Sequence, residues 1–447
     1  MVSLELGEAR SRSHAYELTH RARVSITIFH HHATDTCTGY YRVGWAANGT
    51  NMSFARCSIK ENCLGGKGSS ESCLVGTTGP FCESCMPGFA RSGPGKCTKC
   101  LPPGQQNAAF AAGIIVGTAA IAFLVRGTLK AQGSPSDVSM GVIKIGMRHF
   151  QLAALAASFP LEWPSEIGEM FAFMHTASSA GDQAVALDCQ LGSSIVPGSG
   201  SLFFGSMFAA KALIGFIIPP LLIAGFAVFW VVYTRLYEGR AFGDKTLKSS
   251  RDQEGSGGES NGPNAYQSSF TTRLVVSTLV LAMMFHPTIT KTSFGFFKCS
   301  AEVEGRSLLE ADVNVVCGSA YHSRLLSWVA GPAMIIYVIG IPLAAFAILY
   351  SNKAKDKLSK PGCRRKLGFL YSNYEEEYYY WEFVVVARLV SFAAVSVMFA
   401  DKADLQAGLG LFILFVSILA HNKTSPYLED TLDRVEEMGL YSSWLTL

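Results

Sequence analysis

Charge is what this sequence has least of. Only 16% of its 447 residues are Asp, Glu, Lys or Arg, while 49% are hydrophobic. Soluble domains carry about 25% charged residues. The shortfall points away from a cytosolic enzyme and towards a membrane protein. Motifs for covalent chemistry are also missing: no P-loop, no H-E-x-x-H, no G-x-S-x-G in a suitable context and no dinucleotide fingerprint. No enzymatic activity, catalytic residue, cofactor or metal is therefore expected. A T-V-G-Y-G filter and a regular Arg ladder are lacking too, as are D-R-Y and N-P-x-x-Y. Met1 to Arg23 is mixed and charged, with no apolar signal-peptide core. A net charge of +3 gives no reason to expect nucleic acid.

What is present begins with cysteine. Eight of the twelve precede Ala108: Cys37, Cys57, Cys63, Cys73, Cys82, Cys85, Cys97 and Cys100. The segment around them is polar and Gly-rich. It cannot bury a large core, so cross-links are its natural source of stability. Two sequons, at Asn48 and Asn51, are candidate glycosylation sites of a secretory compartment. Two readings of the cysteines compete. Cys82-x-x-Cys85 and Cys97-x-x-Cys100 have the form of zinc knuckles. The interleaved glycines, the sequons and an adjoining apolar span favour disulfides. The triplet His30-His31-His32 reads as a short solvated tract.

Six uncharged or nearly uncharged runs are long enough to cross about 30 Å of hydrocarbon: Ala108–Val125, Ala212–Tyr233, Leu274–Phe297, Leu325–Tyr350, Phe383–Ala400 and Leu405–Ala420. Met140–Phe159 is ambiguous, because it carries Lys144, Arg148 and His149. It reads alone as either an interfacial helix or a span. Counting it as a span puts the loop with Glu162, Glu166, Glu169, Asp182 and Asp188 on the same side as the cysteine-rich head. The basic loops then fall opposite, as the positive-inside rule asks. A further helix starts near Met438. The expectation is an all-α polytopic membrane helix bundle of seven spans plus a truncated eighth, with a small disulfide-rich N-terminal module. Residues 1–36 form a poorly defined N-terminal segment, 37–104 the extracellular module and 105–447 the bundle. The chain reads as a piece of a longer protein.

The loops sharpen this. Residues 249–269 form a Gly/Ser-rich tract expected to be disordered in the cytosol. The cytosolic loop 351–367 holds Lys353, Lys355, Lys357, Lys360, Arg364, Arg365 and Lys366. These are candidate contacts to anionic inner-leaflet lipid, although topology alone would also make the loop basic. Cys363 sits among them. Arg388, six residues inside an apolar run, and Glu382 are the intramembrane charges worth naming. Burying Arg388 unpaired costs at least about 2.5 kcal/mol, so it should face the bundle and pair with another helix. Gly113-x-x-x-Gly117 permits close packing within the chain or in a homo-oligomer. Cys299 and Cys317 share one loop, and a bridge between them is the simplest pairing. Cys189 is left over: it either reaches the head or stays a thiol.

Two stretches carry a resemblance. Cys73-Leu-Val-Gly76-Thr-Thr-Gly79-Pro-Phe-Cys82-Glu-Ser-Cys85-Met-Pro-Gly88-Phe resembles the second half of an EGF-like module of the laminin type. That resemblance implies Cys73–Cys82 and Cys85–Cys97 bridges and leaves Cys57 and Cys63 open. Phe159-Pro-Leu-Glu-Trp163-Pro164, Leu187-Asp-Cys189, Tyr378-Tyr379-Tyr380-Trp381-Glu382 and Thr424-Ser-Pro426-Tyr427 resemble large polytopic proteins of protists and algae. These join EGF-like or ephrin-receptor-like repeats to a region similar to transient-receptor-potential channels. The implied function is a plasma-membrane cation channel or sensor with an extracellular ligand. The alternative is a non-conducting adhesion or receptor protein.

Overall fold

The structure is a computed structural model. It describes residues 38–45, 52–57, 59–65, 73–93, 96–131, 138–159, 161, 163, 168, 170, 187–191, 195, 201–203, 205–238, 269–299, 306–400 and 402–447. Cys37, Asn48, Asn51, the histidine triplet, Glu162, Glu166, Glu169, Asp182 and nearly all of the 249–269 tract lie outside these residues.

The head consists of three short antiparallel ladders. β1 (Tyr40–Trp45) pairs with β2 (Met52–Arg56), β3 (Thr77–Thr78) with β4 (Ser84–Cys85), and β5 (Phe89–Gly93) with β6 (Lys96–Lys99). Two-stranded ribbons are marginal alone. Bridges Cys57–Cys63, Cys73–Cys82 and Cys85–Cys97 hold these, and Cys57, Cys63 and Cys82 are its buried centre. Gly76 has φ +96, and a Cβ there would come within 2.7 Å of the Phe89 ring, so only glycine lets the two segments close. Cys82, Cys85, Cys97 and Cys100 belong to three different bridges and do not converge as one zinc set.

Helices make up the rest. α1 spans Pro103–Ala131, α2 Val138–Ala156, the short α3 Leu187–Leu191, α4 Met207–Tyr233 and α5 Phe270–Gly295. A hairpin of β7 (Leu308–Leu309) and β8 (Asp312–Val316) follows. Then come α6 over Ala320–Lys353, the surface helix α7 (Pro361–Tyr371), α8 (Trp381–Met398), α9 (Ala403–Thr424) and α10 (Asp430–Thr446). Six of these, α1, α4, α5, α6, α8 and α9, are long and apolar enough to cross a membrane. Their outer faces are bare hydrocarbon: Ile115, Phe123, Leu221, Val228, Ile335 and Leu343 are all exposed. In water such a surface would drive aggregation, whereas in lipid it needs no cover. α5 is the most enclosed of the six and packs on α4, α8 and α7.

α2 lies along α8 in the same direction. Lys144 near its start meets Glu382 at the start of α8, and Phe159 beyond its end stacks on Phe392 at 5.3 Å. α10 follows the same course, with Leu432 against Ile145 and Leu440 in the cluster of Leu152 and Phe392. α10 starts at Asp430, two turns before the Met438 expected from hydropathy. Its first turns carry Asp430 and Asp433, which hide the apolar signal yet suit a helix N-terminus.

The prolines show how the helices lock together. A proline cannot donate to the carbonyl four residues earlier. In a membrane interior that carbonyl must find another donor. Pro287 frees Met283, whose carbonyl accepts Gln151 Nε2 from α2 at 3.2 Å. Pro220 frees Phe216, whose carbonyl accepts the Tyr337 hydroxyl from α6 at 2.6 Å. Pro342 frees Val338, whose carbonyl faces His286 Nε2 from α5 at 3.4 Å. Each of these three breaks thereby becomes a cross-helix tie. By contrast a Cβ on Gly117 of α1 would meet nothing within 4 Å among the described residues.

Candidate functional site: a charged interior and a clamped head

Glu382 opens α8 and is 2% exposed. Its position in the first helical turn favours a carboxylate, because unpaired backbone N–H groups gather there. Two cations one turn apart on α2 converge on it: Lys144 Nζ at 2.5 Å from Oε2 and Arg148 at 2.7 Å from Oε1. The Tyr374 hydroxyl donates to Oε2 at 2.9 Å. Tyr374 lies between α7 and α8. Burial, and then the Glu382 carboxylate, push its hydroxyl well above the usual tyrosine range, so it stays a donor. Lys144 is also held from the other side, donating to the Phe369 carbonyl at 2.9 Å with its ammonium over the Phe369 ring. Phe369 is in the last turn of α7, where helix carbonyls favour a cation. Lys144 thus sits between the negative end of one helix and a carboxylate at the positive end of another.

A second pair lies a turn and a half further along α8. Arg388 bonds Glu436 of α10 at 2.6 Å, and both are nearly buried. Lys144, Arg148 and Arg388 face Glu382 and Glu436, so three cations meet two carboxylates and the cluster carries one surplus positive charge. Arg148 Nε and Nη1 and Arg388 Nε have no acceptor among the described residues. Buried networks of this kind are worth much when satisfied and cost much when broken. α10 comes close because residue 141 is glycine: a Cβ there would meet Leu432 at 2.8 Å and Asn373 at 3.0 Å.

Arg388 and Glu382 were legible as lone charges in an apolar run. Their partners were not, because Glu436 lies 48 residues from Arg388, and Arg148 lies 234 from Glu382. The one sequence signal was the four-residue spacing of Lys144 and Arg148, which places both on one helix face.

The second feature is covalent. Cys100, three residues before α1, is bonded to Cys189 on α3. Beside it Asp188 accepts the Arg91 backbone N–H of the head at 3.1 Å and pairs with Lys211 of α4 at 2.6 Å. Asn314 of the β7–β8 hairpin, which the Cys299–Cys317 bridge closes, donates to Ser84 of the head at 3.0 Å. The starts of α1, α4 and α6 are therefore gathered under the head, with all five bridges among the described residues at that end.

The basic segment lies at the opposite end, after α6. Lys355, Lys357, Lys360, Arg365 and Lys366 are exposed, and Arg364 is partly so. Lys353 instead pairs with Glu376 at 2.6 Å, and that ion pair holds the Glu376 carboxyl below its usual range. Cys363 is the free thiol among the described residues, and burial pushes its pKa up.

Comparison with known proteins gives one partial likeness. Over 121 residues, 26% of this chain, it is 32% identical to a protein of Toxoplasma gondii named "Cysteine repeat modular protein A". That stretch is only 4% of the relative's own length. No family model matches the chain, and no solved structure does.

Proposed function

We propose that this chain is part of a cell-surface sensor, in which an extracellular EGF-like module is mechanically joined to a membrane bundle. The Cys100–Cys189 bond, with Asp188 gripping both Arg91 and Lys211, carries this reading. A load on the head reaches α3 through the Cys100–Cys189 bond and the start of α4 through the Asp188–Lys211 ion pair. α2 is read as a seventh crossing and α10 as an eighth, since both run the length of α8. Five disulfides at one end suit an oxidising exterior, and the basic residues at the other suit the cytosol, where Lys355, Lys357, Lys360, Arg364 and Arg365 would meet anionic lipid. The responding element is the α2–α8 contact. Two cations one turn apart facing one carboxylate allow α2 to slip and exchange partners. The cysteine repeats named in the Toxoplasma relative are consistent with a modular ectodomain.

The test uses a nanobody raised against residues 73–100 as a surrogate ligand on the full chain in nanodiscs. Binding is expected to change hydrogen exchange at Lys144–Arg148 and at the start of α8. In the Cys100→Ser/Cys189→Ser protein the nanobody should still bind while the bundle no longer responds. A bundle indifferent to a bound head in the wild-type chain would remove the reading.

A further inference from the structure

The charges inside the bundle do not balance, and the surplus has a definite place. Arg388 has Glu436 to itself at 2.6 Å. Glu382 is shared by Lys144 and Arg148. The unmatched positive charge therefore belongs to that shared site. Lys144 has further acceptors there, the Phe369 carbonyl at 2.9 Å and the Phe369 and Tyr374 rings. Arg148 does not. It is 5% exposed and donates from Nη2 to Glu382, while Nε and Nη1 meet no acceptor among the described residues.

The groups packed around Arg148 supply no second carboxylate. From α5, His286 lies within electrostatic reach of Arg148, with its Nε2 towards the Val338 carbonyl at 3.4 Å. On α2, His149 lies 3.2 Å from the Ser443 hydroxyl of α10. Asp433 of α10 is engaged by His421 of α9 at 3.5 Å. A guanidinium with unmet N–H groups and half a share of one carboxylate, in a site closed to solvent, calls for an anion. The surplus is a single charge, which sets the valence. The close packing sets the size, since Nε and Nη1 have no contact with solvent. Entry is short. Gln151, one turn along α2 from Arg148, lines a cavity of about 380 Å³ between α2, α5 and α8, which also reaches Ser158 and Gly295 at the head end.

We infer that Arg148 binds a small monovalent inorganic anion of halide size in the bundle interior, beside Glu382, admitted from this cavity past Gln151. Nothing in the assignment depends on the head-to-bundle coupling proposed above, and its test does not involve the head.

The experiment follows thermal unfolding of the full chain in phosphatidylcholine nanodiscs. Sodium chloride is replaced stepwise by sodium gluconate, whose anion is too large for the site, at fixed pH and ionic strength. The melting temperature is expected to rise with chloride and saturate, by about 3 °C or more, and bromide should substitute for chloride. Arg148→Gln removes the donors and leaves two cations for two carboxylates, so the chloride shift should vanish. Lys355→Gln, on the exposed basic segment, should keep it. A wild-type chain indifferent to chloride overturns the inference, and the surplus is then removed by other means, such as loss of a proton from Lys144. A shift that survives Arg148→Gln, or that is lost in Lys355→Gln, also overturns it. If Arg148→Gln fails to fold, Lys144→Met decides, because it leaves one carboxylate for each arginine. The chloride concentration at half-saturation should then rise at least about tenfold, and an unchanged value overturns the assignment.

Discussion

Replacing Glu382 by Gln keeps the shape of the side chain and removes one negative charge. In the native protein that charge faces Lys144 at 2.5 Å and Arg148 at 2.7 Å. At an effective dielectric of about 20, each contact is worth roughly 6 kcal/mol before desolvation is subtracted. Most of that gain offsets the cost of burying the ions, so the intact cluster contributes little net stability. The asymmetry appears on breaking it. Glutamine offers one carbonyl oxygen, and its NH₂ must point at the other cation. Two uncompensated positive charges are then left in a buried site, at a cost of about 3–5 kcal/mol. That is a large part of a typical margin of about 5–15 kcal/mol. The assay is thermal unfolding followed by size exclusion in one detergent. Glu382→Gln should melt well below wild type. The triple variant Lys144→Met/Arg148→Met/Glu382→Gln should recover most of the loss, since no unpaired charge remains. Glu376→Gln, which breaks an exposed pair with Lys353, should leave the melting temperature unchanged. Wild-type melting of Glu382→Gln, or a triple variant less stable than the single one, would refute the reasoning.

Two further outcomes follow from the packing and from the free thiol. Phe392 is fully buried and stacks on Phe159, so Phe392→Ala should cost about 3–5 kcal/mol, read as a loss of folded protein in the same assay. Burial raises the Cys363 pKa, and a thiol reacts through its thiolate. Labelling by a membrane-impermeant maleimide should therefore be slow at pH 7 and speed up through pH 9. The part of the labelling that is lost in Cys363→Ser should appear only in opened cells. Labelling of intact cells through Cys363 would reverse the proposed orientation.

The relation between sequence and fold differs by element. α1, α4, α5, α6, α8 and α9 were legible as apolar runs, because crossing hydrocarbon imposes length and composition on each segment separately. α2 was readable only as a conflict: its apolar half argued for a span, and Lys144 and Arg148 argued against one. The structure places Glu382 beside both cations, a contact across 234 residues that no local pattern contains. α10 was placed late because its charged first turns mask its apolar contacts with α2.

What the sequence determined by itself is the list of segments able to lie in a membrane and the polar, cysteine-rich head that cannot. Local composition suffices for both, since solvent preference acts residue by residue. Bridges closed within a few residues, such as Cys85–Cys97, lie within reach of motif reading. Only the tertiary structure decided that Cys100 meets Cys189, that Arg388 meets Glu436, and that the carbonyls freed by Pro220, Pro287 and Pro342 meet Tyr337, Gln151 and His286. The need for each partner is local, written in a buried charge or a missing N–H. Which side chain meets that need depends on how helices far apart in the chain come to lie side by side.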